Sequence, residues 1–183
     1  MIGKRQLAAL LAVAGLALGC AVATPTAYAS TASINCTGWT YVTYTPGLTN
    51  ATRSTTVVDD GDLNIIDAHS PTGSCVAIGS SASAGERNVT AQLDLSCTQL
   101  IVESGVETIN WNDGQSTSFE FSATVTRGLS NTVILETGTV TSGEFSGASV
   151  VETFTAPNIA FAGCGTPGGV TALNFATVIT IAR

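Results

Sequence analysis

Glu136 and Glu152 are the residues of this chain best spaced to do chemistry. Each stands eight residues from Glu144, within segments 131–141 and 148–155 that read as strands. A hairpin centred on Glu144 sets the two side chains opposite each other on one face, with Cβ atoms about 4.5–5.5 Å apart. Two carboxyl groups about 5 Å apart are the geometry of a retaining glycosidase, one acting as nucleophile and the other as acid and base. A register shifted by one residue puts them on opposite faces and removes that reading. Opposed like charges also destabilise a hairpin unless something uses them.

Other candidates carry less chemistry. Asp59-Asp60-Gly61-Asp62, with Asp67 nearby, is the densest run of carboxylates. Asp59, Asp60 and Asp62 offer oxygen ligands to Ca²⁺, but no Glu closes the loop at its twelfth position as in an EF-hand. Asp and Gly also favour tight turns, and a hairpin turn at Asp60-Gly61 is the expectation. No metal and no cofactor is expected. His69, with Asp67 and Ser70, has the residue types of a hydrolase triad. Residues so close along the chain do not converge easily, and no G-x-S-x-G elbow is present. Trp39, Tyr41 and Trp111 are candidates for a ligand platform, Trp39 and Tyr41 sharing one strand face and Tyr44 taking the other. Aromatics in strands more often fill a core.

The elements that position these residues are strands. Val89, Ala91, Leu93, Leu95 and Cys97 alternate with Asn88, Thr90, Gln92, Asp94 and Ser96. Phe119, Phe121, Ala123 and Val125 alternate with Ser118, Glu120, Ser122, Thr124 and Thr126. A period of two with one apolar face is a strand covered on one side. Further strands are expected at 37–45, 54–58, 62–68, 75–79, 106–111 and 170–182. Besides Asp60-Gly61, turn chemistry falls at 112–114, 128–131, 142–147 and 167–169. Segment 70–85, rich in Ser, Gly and Ala, is expected to hold the longest loop. Short strands with hairpin turns predict an all-β fold, an antiparallel sandwich of immunoglobulin-like architecture, with a small β-barrel as the alternative.

The first residues read as an export leader. A basic start at Lys4-Arg5 precedes the apolar run Leu7–Ala23, and Ala27-Tyr28-Ala29 offers a cleavage site before Ser30. Residues 1–29 form a secretory signal peptide on this reading, and 30–183 a single domain that is secreted. Leu16-Ala17-Leu18-Gly19 before Cys20 offers the alternative of a lipid anchor on that cysteine. No other apolar run reaches membrane-spanning length. Beyond the leader, four arginines and no lysine face thirteen acidic residues, hence a formal charge of −9. The absence of lysine excludes Schiff-base and P-loop chemistry. Four scattered arginines do not neutralise a run of phosphates, so no nucleic-acid partner is expected. Cys36, Cys75, Cys97 and Cys164 are widely spaced and even in number, which predicts two disulfides rather than a zinc site. Four cysteines allow three pairings. The inward placing of Cys97 favours Cys36–Cys97 with Cys75–Cys164.

Three stretches carry a resemblance: 44–49, Tyr-Thr-Pro-Gly-Leu-Thr; 109–114, Ile-Asn-Trp-Asn-Asp-Gly; and 137–148, from Thr137 to Ala148. Together they resemble small exported, disulfide-containing β proteins of actinobacteria. The resemblance implies an exported β-sandwich-like domain and brings no catalytic residue with it. The expected function is a non-catalytic binding or interaction module at or beyond the cell surface, its partner an extracellular ligand, glycan or protein. Two rivals stand beside it: a glycan-cleaving enzyme using Glu136 and Glu152, and a carrier of an apolar small molecule.

Overall fold

The alternating segments become nine strands in a computed structural model that describes residues 32–183. The expected leader, its expected cleavage site and Cys20 lie outside the described residues. The strands are β1 (Ser33–Leu48), β2 (Arg53–Leu63), β3 (Ser74–Ile78), β4 (Gly85–Leu95), β5 (Ser104–Trp111), β6 (Ser116–Arg127), β7 (Asn131–Gly143), β8 (Ser149–Pro157) and β9 (Val170–Ala182). A 3-10 segment, Asn158–Gly165, lies between β8 and β9. No helix among the described residues is long and apolar enough to cross a membrane.

The sheet order is β2-β4-β5-β6-β7-β8-β9-β1-β3, and β1 also pairs with β2. That last pairing closes an antiparallel barrel of eight strands, with β3 as one extra strand. The barrel, the alternative of the sequence reading, therefore replaces the immunoglobulin-like sandwich. Strand β1 makes the closure possible. One of its edges runs along β9, while the other serves β3 over Ser33–Thr37 and β2 over Gly38–Thr45. Gly38 sits where the second edge changes partner. A Cβ there would lie 1.8 Å from the Asp62 carbonyl oxygen, so the crossing requires glycine.

Most strand expectations match their elements, with one instructive exception. Asp60-Gly61 is no turn: it lies inside the continuous β2, which takes in the expected strand 54–58 but only Asp62 and Leu63 of the expected 62–68. Its register against β4 runs unbroken from Arg53↔Leu95 to Leu63↔Gly85. The pairing of β4 overrides the local turn preference of Asp and Gly.

The disulfides are Cys36–Cys75 and Cys97–Cys164, not the pairing favoured from sequence. Cys36 and Cys75 are register partners on β1 and β3, with Cα atoms 4.1 Å apart. Cys97 lies in the other core cluster, too remote to meet Cys36, and ties the end of β4 to the 3-10 segment.

Inside the barrel the apolar side chains form two clusters. One holds Ile34, Ile109, Trp111, Phe119, Val150 and Ile179 and is closed by Phe145 from the β7–β8 turn. Phe145 meets Trp111 edge-on, with ring centroids 6.0 Å apart. The other holds Val42, Tyr44, Leu95, Ile134, Phe154 and Phe175 and is covered by Phe161 of the 3-10 segment. Outward positions of β4 and β6 are largely polar, the inverse of a lipid-facing barrel wall.

Candidate functional site

Between the two apolar clusters lies a layer of polar side chains. Strands β1, β2, β4, β5, β7, β8 and β9 contribute Thr40, Asp59, Arg87, Glu107, Glu136, Glu152 and Thr177 in turn. Each falls at an inward position of its strand's alternation. Four carboxylates therefore share the barrel interior with one guanidinium.

Arg87 is the hub. Its Nη1 donates to Glu152 Oε1 at 2.7 Å and, in a closer contact, to Glu107 Oε1. Its Nη2 donates to Thr40 Oγ1 at 2.6 Å, and Thr40 in turn shares a hydrogen bond with Thr177 at 2.7 Å. Asp59 lies 3.5 Å from Nε, and the guanidinium stacks over Phe154, 4.8 Å from the ring centre. Burial works to lower the Arg87 pKa, but Glu107, Glu152 and Asp59 outweigh it and hold the group cationic. Gly61 makes room: a Cβ there would stand 2.5 Å from Arg87 Nε. The apparent turn residue is thus the floor over which the arginine passes.

Glu136 and Glu152 are direct register partners on β7 and β8. The pair faces inward, Glu136 1 % exposed and Glu152 0 %. Glu136 Oε2 and Glu152 Oε2 have no hydrogen-bond partner. Oxygens of Glu107, Glu136 and Glu152 all lie within 4.8 Å of one another. Burial pushes the Glu136 carboxyl up to about 8, helped by Glu107 and opposed by Arg87. Burial likewise raises Glu152 well above the usual carboxylate range, again against Arg87. Asp59 is pushed up to about 6, chiefly by burial.

Above this layer the barrel wall opens. Strands β4 and β5 pair only at Gly85↔Trp111 and Glu86↔Asn110 and then diverge. Into the gap opens a cavity of about 230 Å³. Its walls are apolar, with Val57, Ala91, Leu93, Leu100, Ile134 and Phe175 among them. Its polar end is Asp59, Arg87, Glu107 and Glu136, whereas Glu152 does not line it. At the rim, Val89 is 42 % exposed and Val106 66 %.

The remaining sequence candidates lie elsewhere. Asp59 points inward, while Asp60 and Asp62 take outward positions opposite Tyr41 and Trp39, so the three do not converge on one cation. Asp62 is pushed up to about 6 by burial and by Asp60, Asp67 and Glu86. Asp67 Oδ1 accepts the backbone amides of His69 and Ser70, and His69 stacks on Tyr41 at 3.7 Å; this is a folded turn rather than a relay. Trp39 and Tyr41 are half-buried on the outer wall. Trp111 is buried inside, its Nε1 donating to Thr117 at 2.7 Å. They form no common platform.

Arg87 and Glu107 were not picked out from sequence, yet their signal was there. Arg87 shares the parity of Val89, Ala91, Leu93 and Leu95, and Glu107 that of Ile109 and Trp111. A charge on the apolar side of an alternation is a buried charge, which needs a partner. Comparison with protein-family models, curated proteins and solved structures finds no match for the chain.

Proposed function

We propose that the protein is a non-catalytic carrier that holds a small, mainly apolar molecule in its barrel. The observation behind this is the cavity between β4 and β5, with aliphatic walls and one polar end. Ligand sites are concave, mostly apolar and fitted with a few convergent polar groups, and barrel mouths are a preferred place for them. A dry cavity of about 150 Å³ accepts benzene. A cavity of 230 Å³ suits a molecule somewhat larger than one ring. The leader-like start of the sequence and the two disulfides support a role outside the cytosol.

The glycan-cleaving alternative has less support. Its two carboxylates must flank a bond on the substrate, and only Glu136 lines the cavity. Glu152 is sealed beneath, with one oxygen bound to Arg87.

The test is a thermal-shift screen of the oxidised protein against small apolar compounds, with Ala91→Trp as the filled-cavity control. A ligand at a hundred times its dissociation constant adds about 2.7 kcal/mol to the folded state. Saturable shifts that Ala91→Trp abolishes support the carrier. A folded protein that no such compound shifts rejects it.

A further inference from the structure

We infer that the polar end of the cavity is a receptor for an organic ammonium group, so that the ligand is a small apolar amine. This rests on the carrier reading and names the chemical class it takes. Four acidic side chains surround one arginine, which bonds one oxygen each of Glu107 and Glu152 and neither oxygen of Glu136. Glu136 Oε2 is buried without a partner, and the residue lines the cavity. Buried polar atoms without partners are rare in folded proteins, and each one calls for an explanation. An ammonium supplies what is missing, a positive charge and N–H donors, at the point where apolar wall meets carboxylate. Glu107 and Asp59 line the same end and add to the negative field, with Arg87 set against it.

A carboxylate-headed ligand meets the opposite situation. Its charge faces Asp59 and Glu107, and both Nη atoms of the one guanidinium are already taken by two glutamates and Thr40. A bare divalent ion also fits poorly. Calcium and magnesium want six or more oxygens, whereas two of the cluster's oxygens are held by Arg87 and the walls are hydrocarbon. An apolar body with one cationic end matches both halves of the cavity.

The ammonium also changes the protonation of its partner. Glu136 faces Asp59, Arg87, Glu107 and Glu152, and Tyr44 lines the same cavity. Burial keeps the Glu136 carboxyl protonated at neutral pH, and a cation beside it drives that proton off to the buffer. Binding therefore takes up an ammonium and releases one proton.

The experiment is titration calorimetry of the oxidised protein at pH 7 with 2-phenylethylamine, 2-phenylethanol, 3-phenylpropionate and ethylbenzene, in buffers of different ionisation enthalpy. A second arm uses Ca²⁺, Mg²⁺, Mn²⁺ and Zn²⁺. The amine is expected to bind about tenfold tighter than the alcohol, as a charge-assisted bond exceeds a neutral one. Its enthalpy should vary with the buffer, and 3-phenylpropionate should bind weakest. Glu136→Gln should remove the amine's advantage over the alcohol and abolish the buffer dependence. Equal binding of amine, alcohol and ethylbenzene overturns the ammonium receptor while leaving the carrier standing. No binding by any of the four overturns both. Binding of a divalent ion that Glu136→Gln removes, without amine binding, makes the cluster a metal site and overturns the inference.

Discussion

Glu136 and Glu152 face each other across β7 and β8 inside the barrel, and of the two only Glu152 is hydrogen-bonded to Arg87. Burial raises both carboxyl groups above the ordinary range, and this sets how stability depends on pH. The Glu136 carboxyl stands at about 8 when folded against an ordinary 4.5. Between those values the folded chain keeps a proton that the unfolded chain has lost, so stability falls as pH rises through that range. Asp59 and Glu152 are shifted in the same direction. The thermal midpoint should therefore climb as pH drops from 8 to 5, and a midpoint that falls over that range would contradict the burial described.

Glu136→Gln imitates the protonated group without its titration. It should stabilise the unliganded protein at pH 8 by roughly 1–3 kcal/mol. At pH 5 the gain should shrink towards zero, because the native carboxyl is already neutral there. Denaturant unfolding at the two pH values measures this directly.

Arg87→Met should do the reverse. It leaves Glu107, Glu152 and Asp59 without their cation, and breaking a buried pair costs about 3–5 kcal/mol. Much of that loss belongs to the charges left behind. The triple variant with Glu107→Gln and Glu152→Gln should recover a large part of it in equilibrium unfolding, a non-additive result expected of residues in one network.

The walls of this barrel were more legible than its contents. Alternation in 88–97 and 118–126 marks strands because the period of two survives any tertiary arrangement. It does not say whether a sheet closes, since that depends on β1 carrying β3 and β2 in sequence along one edge. The opposition of Glu136 and Glu152 was readable because a tight hairpin fixes register locally. The convergence of Arg87 and Glu107 with them was not, as these residues stand on strands two to four places away in the sheet and meet only across the barrel interior. Asp60-Gly61 misled because its glycine serves a long-range need, space for Arg87, and not a local turn.

The two disulfides close spans of 39 and 67 residues. Restricting the unfolded chain over such loops is worth about 4 kcal/mol each on the chain-entropy estimate. The effects should differ locally. Loss of Cys97–Cys164 frees the 3-10 segment that brings Phe161 onto the apolar cluster behind the cavity walls, whereas loss of Cys36–Cys75 frees only the extra strand β3. Hydrogen exchange of the Cys164→Ser and Cys75→Ser variants, each with its partner also changed to Ser, should show faster exchange near the cavity in the first alone.

Gly61→Ala separates the arginine's need for space from the strand's own preference. The added Cβ would stand 2.5 Å from Arg87 Nε and 2.7 Å from its Cγ, so the side chain must leave its place among the carboxylates. Overpacking of this kind costs about 1–3 kcal/mol. Gly61 has ordinary backbone geometry for a strand residue, so alanine meets no backbone strain there. In an Arg87→Met background carrying Glu107→Gln and Glu152→Gln, the flexible Met can yield, and the same change should become neutral. Alanine also restricts the unfolded chain more than glycine does, which offsets any crowding that remains. Equal destabilisation in both backgrounds would place the clash with the strand backbone and not with Arg87.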